Sequence, residues 1–135
     1  MIHFRPTKRK PFTWVWRVED EQGRGPYKFG NSSKWGYDSY SHTYDNGHPT
    51  IRMDFKERDL SAVRFDDRDN TLECICGFVS LAQYRKWFDE NERQRLAEAG
   101  FKIRRRRAAM AIRSVYQCLF IPYQPPKKKN ARKGI

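Results

Sequence analysis

The chain has 135 residues, is 38% hydrophobic and carries a formal net charge of +12. That length supports one hydrophobic core and not two, and with no apolar run of about 18 residues the sequence holds no transmembrane helix. The composition reads as a cytoplasmic protein, because the basic segment Met1–Lys10 lacks the apolar stretch that a secretory signal would place after it.

Residues 1–12 form a basic arm, in which Arg5, Lys8, Arg9 and Lys10 occur without an acid. A strand is predicted from Thr13 to Val18, with Trp14, Trp16 and Val18 on one face and Val15, Arg17 and Glu19 on the other. The turn formers from Asp20 to Pro26 follow, and they read as a tight turn rather than a dinucleotide-binding loop because no helix opens behind them. From Tyr27 to about Asn70 the sequence is polar and aperiodic. Residues 28–70 are therefore expected to be a long loop region, which in a compact domain is usually functional. Tyr37, Tyr40 and Tyr44 have little core to join there, which favours contact with a partner.

Leu72, Cys74, Cys76 and Phe78 alternate as a strand packed on one face. It runs straight into a helix: Ser80 stands three residues before Gln83, the spacing of a capping box, and Leu81, Tyr84, Trp87 and Phe88 repeat at helical spacing. A second helix is predicted from Asp89, with Glu92 at the box position, to Ala99. Gly100 is its left-handed terminator, with Phe101 folded back on Leu96. A strand resumes with Phe101, Ile103 and Arg105. The last strand is predicted from Val115 to Ile121, apolar on both faces and so central in its sheet. Residues 124–135, with Pro125, Pro126, Lys127, Lys128 and Lys129, read as an extended basic tail. The sum is one α+β domain over residues 13–123: a small mixed or antiparallel sheet with two consecutive helices packed on it.

Three cysteines, Cys74, Cys76 and Cys118, are too few and too closely paired for a disulfide framework or a zinc site. They read as reduced apolar residues, and His3, His42 and His48 show no ligand spacing, so no metal is expected. No phosphate-binding loop, nucleophile elbow or zinc-protease motif appears. Arm and tail together hold nine positive charges, which leaves a net +3 for residues 13–123. The run Arg104, Arg105, Arg106, Arg107 stands out within them. It can neutralise phosphates, the tail lysines would add a salt-dependent term, and interleaved aromatics would supply stacking surfaces. A strand would turn only half of that run to each face, and a solvated charge run or a surface for an acidic protein fits it as well. Trp14, Trp16, Trp87 and Phe88 are assigned to the core.

Several motifs recur in a familiar order. They are Trp16-Arg17-Val18-Glu19, then Gly23-Arg24-Gly25-Pro26-Tyr27, then His48-Pro49 followed by the acid Asp54. Next come Cys76-Gly77-Phe78-Val79-Ser80-Leu81-Ala82-Gln83 with Trp87-Phe88, then Leu96-Ala97-Glu98-Ala99-Gly100-Phe101, and last Gln117-Cys118-Leu119-Phe120. Over residues 13–121 this layout resembles a set of small bacteriophage-encoded proteins, and more distantly the ADP-ribosyltransferase-like fold. The second resemblance implies NAD as cofactor. Arg17 would contact its ribose or nicotinamide, Tyr27 would wall the pocket, Ser80 would supply a hydroxyl, and Gln117 would stand where a late-strand glutamate polarises the ribose. Gln117 is an amide and cannot stabilise an oxocarbenium-like charge, so Glu19, Glu73 or an acid of the polar loop would have to replace it. Each residue also has a plainer role: Arg17 as an ion-pair partner, Ser80 as a helix cap, Gln117 as a bonded buried amide. The expectation is a phage accessory protein acting on host machinery, in host takeover or anti-defence. It would act through an NAD or nucleotide site, or without catalysis by binding nucleic acid or a host protein complex.

Overall fold

The long strand β4 (Lys102–Arg113) is the spine of a five-stranded sheet in the computed structural model, which describes residues 2–27, 30–36, 48–49, 51–55 and 75–126. Strand β2 (Thr13–Glu19) runs antiparallel along its first half, from Thr13 opposite Ala108 to Glu19 opposite Lys102. Strand β1 (Ile2–Phe4) continues that edge beside Ile112 and Ala111, so part of the predicted arm belongs to the sheet. On the other edge β5 (Cys118–Pro122) pairs with Ala108–Arg113, and β3 (Ile75–Gly77) pairs with β5. All these pairings are antiparallel.

The sheet then curls back on itself. Trp16 and Phe78 exchange two backbone hydrogen bonds of 2.7 Å, so the residue after β3 joins β2 on the edge away from β4. Gly77 makes that approach possible. A Cβ there would lie 2.6 Å from the Trp16 carbonyl oxygen and 2.9 Å from the Phe120 ring.

The helical segments are α1 (Ser32–Trp35), α2 (Ile51–Asp54), α3 (Leu81–Trp87) and α4 (Glu90–Glu98). Ser80 caps α3 as predicted, its hydroxyl accepting the Gln83 amide at 3.1 Å. The return half of the box differs: Gln83 Oε1 accepts the Val79 amide at 2.9 Å rather than that of Ser80. The box of α4 is complete, with Asp89 and Glu92 bonded both ways at 2.8 Å. Gly100, at φ +93°, ends α4, while the amides of Phe101 and Gly100 donate to the Leu96 and Ala97 carbonyls.

Val18, Phe78, Trp87, Phe88, Leu96 and Phe101 bury one face of the sheet against the helices. Val15, Ala108, Ala111, Cys118 and Phe120 fill the enclosed face, and Phe55, Ile112 and Leu119 form a third cluster. Strand β5 is thus central and buried on both sides, as its sequence implies. Burial pushes the Cys76 thiol up to about 11 and that of Cys118 upward too, so both stay protonated at neutral pH.

Two expectations are corrected. The last strand starts at Cys118 rather than Val115, which is 84% exposed. Ser114 explains the shift: its hydroxyl accepts the amides of Tyr116 and Gln117 at 3.0 and 3.1 Å and holds residues 114–117 in a hairpin turn. The region 28–70 is also not loop throughout, since α1 and α2 lie within it and bury Trp35 and Phe55. Single aromatic anchors in a polar stretch leave no periodic trace. Leu72, Glu73, Cys74, His42, Tyr37, Tyr40, Tyr44, Lys127, Lys128 and Lys129 lie outside the described residues. Among the described residues, no helix is long and apolar enough to cross a membrane.

Candidate nucleic-acid interface

The register of β2 on β4 sorts the arginine run. Trp14 pairs with Arg107 and Trp16 with Arg105, so these four share one face; Arg17, Glu19, Arg104 and Arg106 share the other. On the first face the helix-side core takes in Trp16, Val18 and Ile103 but not Trp14, which is 45% exposed. The Arg105 guanidinium lies 4.4 Å from the centre of the Trp14 ring. Arg107 sits 5.4 Å from the Phe12 ring and 5.2 Å from the Tyr123 ring. Phe12 in turn meets Trp14 edge-on at 5.6 Å and Tyr123 at 5.0 Å. A backbone bond of 2.9 Å from the Tyr123 amide to the Arg107 carbonyl holds the end of the strip in register. Guanidinium groups on aromatic faces keep their charge and their outward N–H groups. The result is a strip in which cations and flat rings alternate. Trp14 belongs to this strip and not to the core to which its sequence spacing assigns it.

On the opposite face Glu19 is buried and three arginines surround it. Arg106 Nη1 approaches at 3.1 Å, Arg17 Nε at 3.4 Å and Arg104 Nε at 3.9 Å. Arg17 also donates from Nη1 to the Cys76 carbonyl at 2.8 Å. Gly25 leaves room for it, since a Cβ there would lie 3.2 Å from Arg17 Nη2. Burial lowers the Arg17 pKa from its usual value, against the pull of Cys76 and Glu19.

The remaining predicted site residues lie around the elbow. Ser80 is the α3 cap. The Tyr27 hydroxyl accepts the Trp87 indole N–H at 2.8 Å inside the helix-side core, where burial raises its pKa. Trp87 stacks on His48 with ring centres 4.6 Å apart, and His48 Nε2 lies 3.2 Å from the Trp87 carbonyl oxygen. Gln117 is buried and donates from Nε2 to Asp54 Oδ2 at 3.0 Å and to the Pro49 carbonyl at 3.5 Å. Ser114 donates its hydroxyl to the same Asp54 oxygen at 2.5 Å, and Gln83 Nε2 donates to the Ser114 carbonyl at 2.9 Å. The fold therefore gathers His48, Pro49, Asp54, Gln83 and Gln117 at the hairpin turn. Tyr27 joins them through Trp87, while Arg17 is held apart by Glu19 and Cys76. Ser114 escapes sequence reasoning because the predicted strand runs over its neighbours. The pairing of Phe12 and Trp14 with the arginines becomes visible only with the β2–β4 register.

Residues 8–129 match the family described as Bacteriophage T4 Y00F protein. The chain belongs to that family. The match gives its motif-based resemblance to small phage proteins firm footing in coarse form, and it covers the whole of this phage protein's arginine–aromatic strip. No curated protein and no solved structure matches the chain.

Proposed function

We propose that this phage protein is an accessory factor that binds single-stranded nucleic acid along the strip formed by Phe12, Trp14, Tyr123, Arg105 and Arg107. The observation that carries the reading is Arg105 lying 4.4 Å over an exposed Trp14. A patch of charge alone would serve a phosphate backbone or an acidic protein equally. Flat rings beside the charges serve unpaired bases, each of which offers a π-face, whereas the bases of a duplex are already stacked. The basic tail adds to this surface: Lys127 follows Tyr123 by four residues, a span of roughly 14 Å at full extension. Action on host nucleic acid, in takeover or anti-defence, fits a phage accessory protein. Titration of a fluorescent oligothymidine by anisotropy tests it. Trp14→Ala is expected to weaken binding roughly 10- to 100-fold. Arg105→Ala with Arg107→Ala should flatten the salt dependence by about one unit of slope. Equal binding by Trp14→Ala and the natural chain removes the strip from consideration.

A second reading rests on Asp54. This carboxylate, from the polar segment, lies 3.0 Å from Gln117 Nε2, the amide in the position that the ADP-ribosyltransferase-like resemblance gives to a glutamate. In that reading Asp54 supplies the missing negative charge, NAD is the cofactor, and Arg17, Tyr27 and Ser80 keep the roles the resemblance implies. Incubation with labelled NAD and host lysate should then label a host component, and Asp54→Asn should abolish the transfer. No transfer by the natural chain ends this reading.

A further inference from the structure

The face opposite the aromatic strip carries more positive charge than its own carboxylate needs. One buried carboxylate is compensated by one well-placed cation, yet Arg17, Arg104 and Arg106 all converge on Glu19. The cluster keeps a net charge of about +2, and like charges this close repel one another. Arg17 is buried and committed to Cys76 and Glu19. Arg104 and Arg106 differ, with side chains 47% and 40% exposed. Arg106 commits Nη1 to Glu19, Arg104 turns Nε toward it, and among the described residues Glu19 is the one partner of both. Each guanidinium carries five N–H donors in a rigid plane, so outward-facing donors remain on both. Glu19, only 4% exposed at its side chain, holds the two forks from beneath.

We infer that Arg104 and Arg106, oriented by Glu19, form a binding site for a phosphomonoester dianion. The charge decides the class. A phosphomonoester carries about −1.5 to −2 at neutral pH and presents three acceptor oxygens, matching the surplus on the cluster, whereas a backbone diester carries one charge. Planar guanidinium forks suit the tetrahedral oxygens through paired N–H···O bonds. The site lies on the face of β2 and β4 away from Trp14 and does not depend on stacking there, so either proposal can fail alone. Two sources present this group, a free nucleotide and the 5′ end of a strand.

Calorimetry on the full chain separates them. Adenosine 5′-monophosphate is expected to bind at least tenfold more tightly than adenosine, and Arg104→Ala with Arg106→Ala should erase that difference. Arg106→Lys, which keeps the charge but loses the fork, should give an intermediate loss, with thermal melts showing all variants folded. A matching preference for a 5′-phosphorylated over a 5′-hydroxyl oligothymidine identifies a strand end as the source; a preference confined to the mononucleotide identifies a free nucleotide. Equal binding of phosphorylated and unphosphorylated probes, or a preference that survives the double substitution, overturns the inference.

Discussion

Gly77→Ala is expected to lower the stability of the domain by about 3 kcal/mol, near the upper end for a single overpacked site. The cause is contact rather than backbone conformation. Gly77 is not among the glycines at positive φ, so alanine could adopt its dihedral angles. The added methyl would instead lie 2.6 Å from the Trp16 carbonyl oxygen, a backbone atom fixed by its own bond to the Phe78 amide. Relief requires β3 to withdraw from β2, which breaks the link that curls the sheet back on itself. The melting temperature should fall by roughly 10 °C for a domain of this size. Gly100→Ala provides the contrast, because no atom lies within 4 Å of its added carbon and only the φ of +93° resists it. That variant should lose about 1 kcal/mol. Equal losses from the two substitutions would contradict the close-approach account.

Glu19→Ala has the second large effect, an expected loss of about 3 kcal/mol, as when one member of a buried pair is deleted. The variant leaves Arg17, 12% exposed at its side chain, without its carboxylate and facing Arg106. Glu19→Gln keeps the shape and an acceptor but not the charge, and should fall between the two. Arg17→Met combined with Glu19→Leu should recover much of the loss, because a well-packed apolar pair avoids the desolvation of both ions. Denaturant unfolding of the four proteins checks this order. A loss below about 1 kcal/mol for Glu19→Ala would show that solvent already screens the cluster, as it does for surface pairs.

The elements that alternate or cap were legible in the sequence. Ser80, Asp89 with Glu92, and Gly100 marked the helix boundaries because each does local chemistry within one turn. The central place of β5 followed from its apolar residues on both faces. What depends on distant partners was not legible. Trp14 and Trp16 have identical spacing, yet only Trp16 meets Phe78 across the closing edge, and Trp14 is left to Arg105. Gln117 and Asp54 are 63 residues apart and meet only once the hairpin turn and α2 are in place. Val115 alternates correctly for a strand, but the Ser114 hydroxyl takes the amides that a strand would have paired. The arginine run showed its division between faces in sequence, while the rings on one side and the carboxylate on the other came from cross-strand register.

The most direct test of the nucleic-acid reading is the intrinsic fluorescence of Trp14, followed while oligothymidine is added to the natural chain and to Trp14→Phe. Stacking of a base on the indole predicts quenching in the natural chain that saturates with the anisotropy signal and is largely lost in Trp14→Phe, which still binds through its remaining ring. Saturable binding with no change in Trp14 emission would contradict the account, because the strand would then be held somewhere other than the strip.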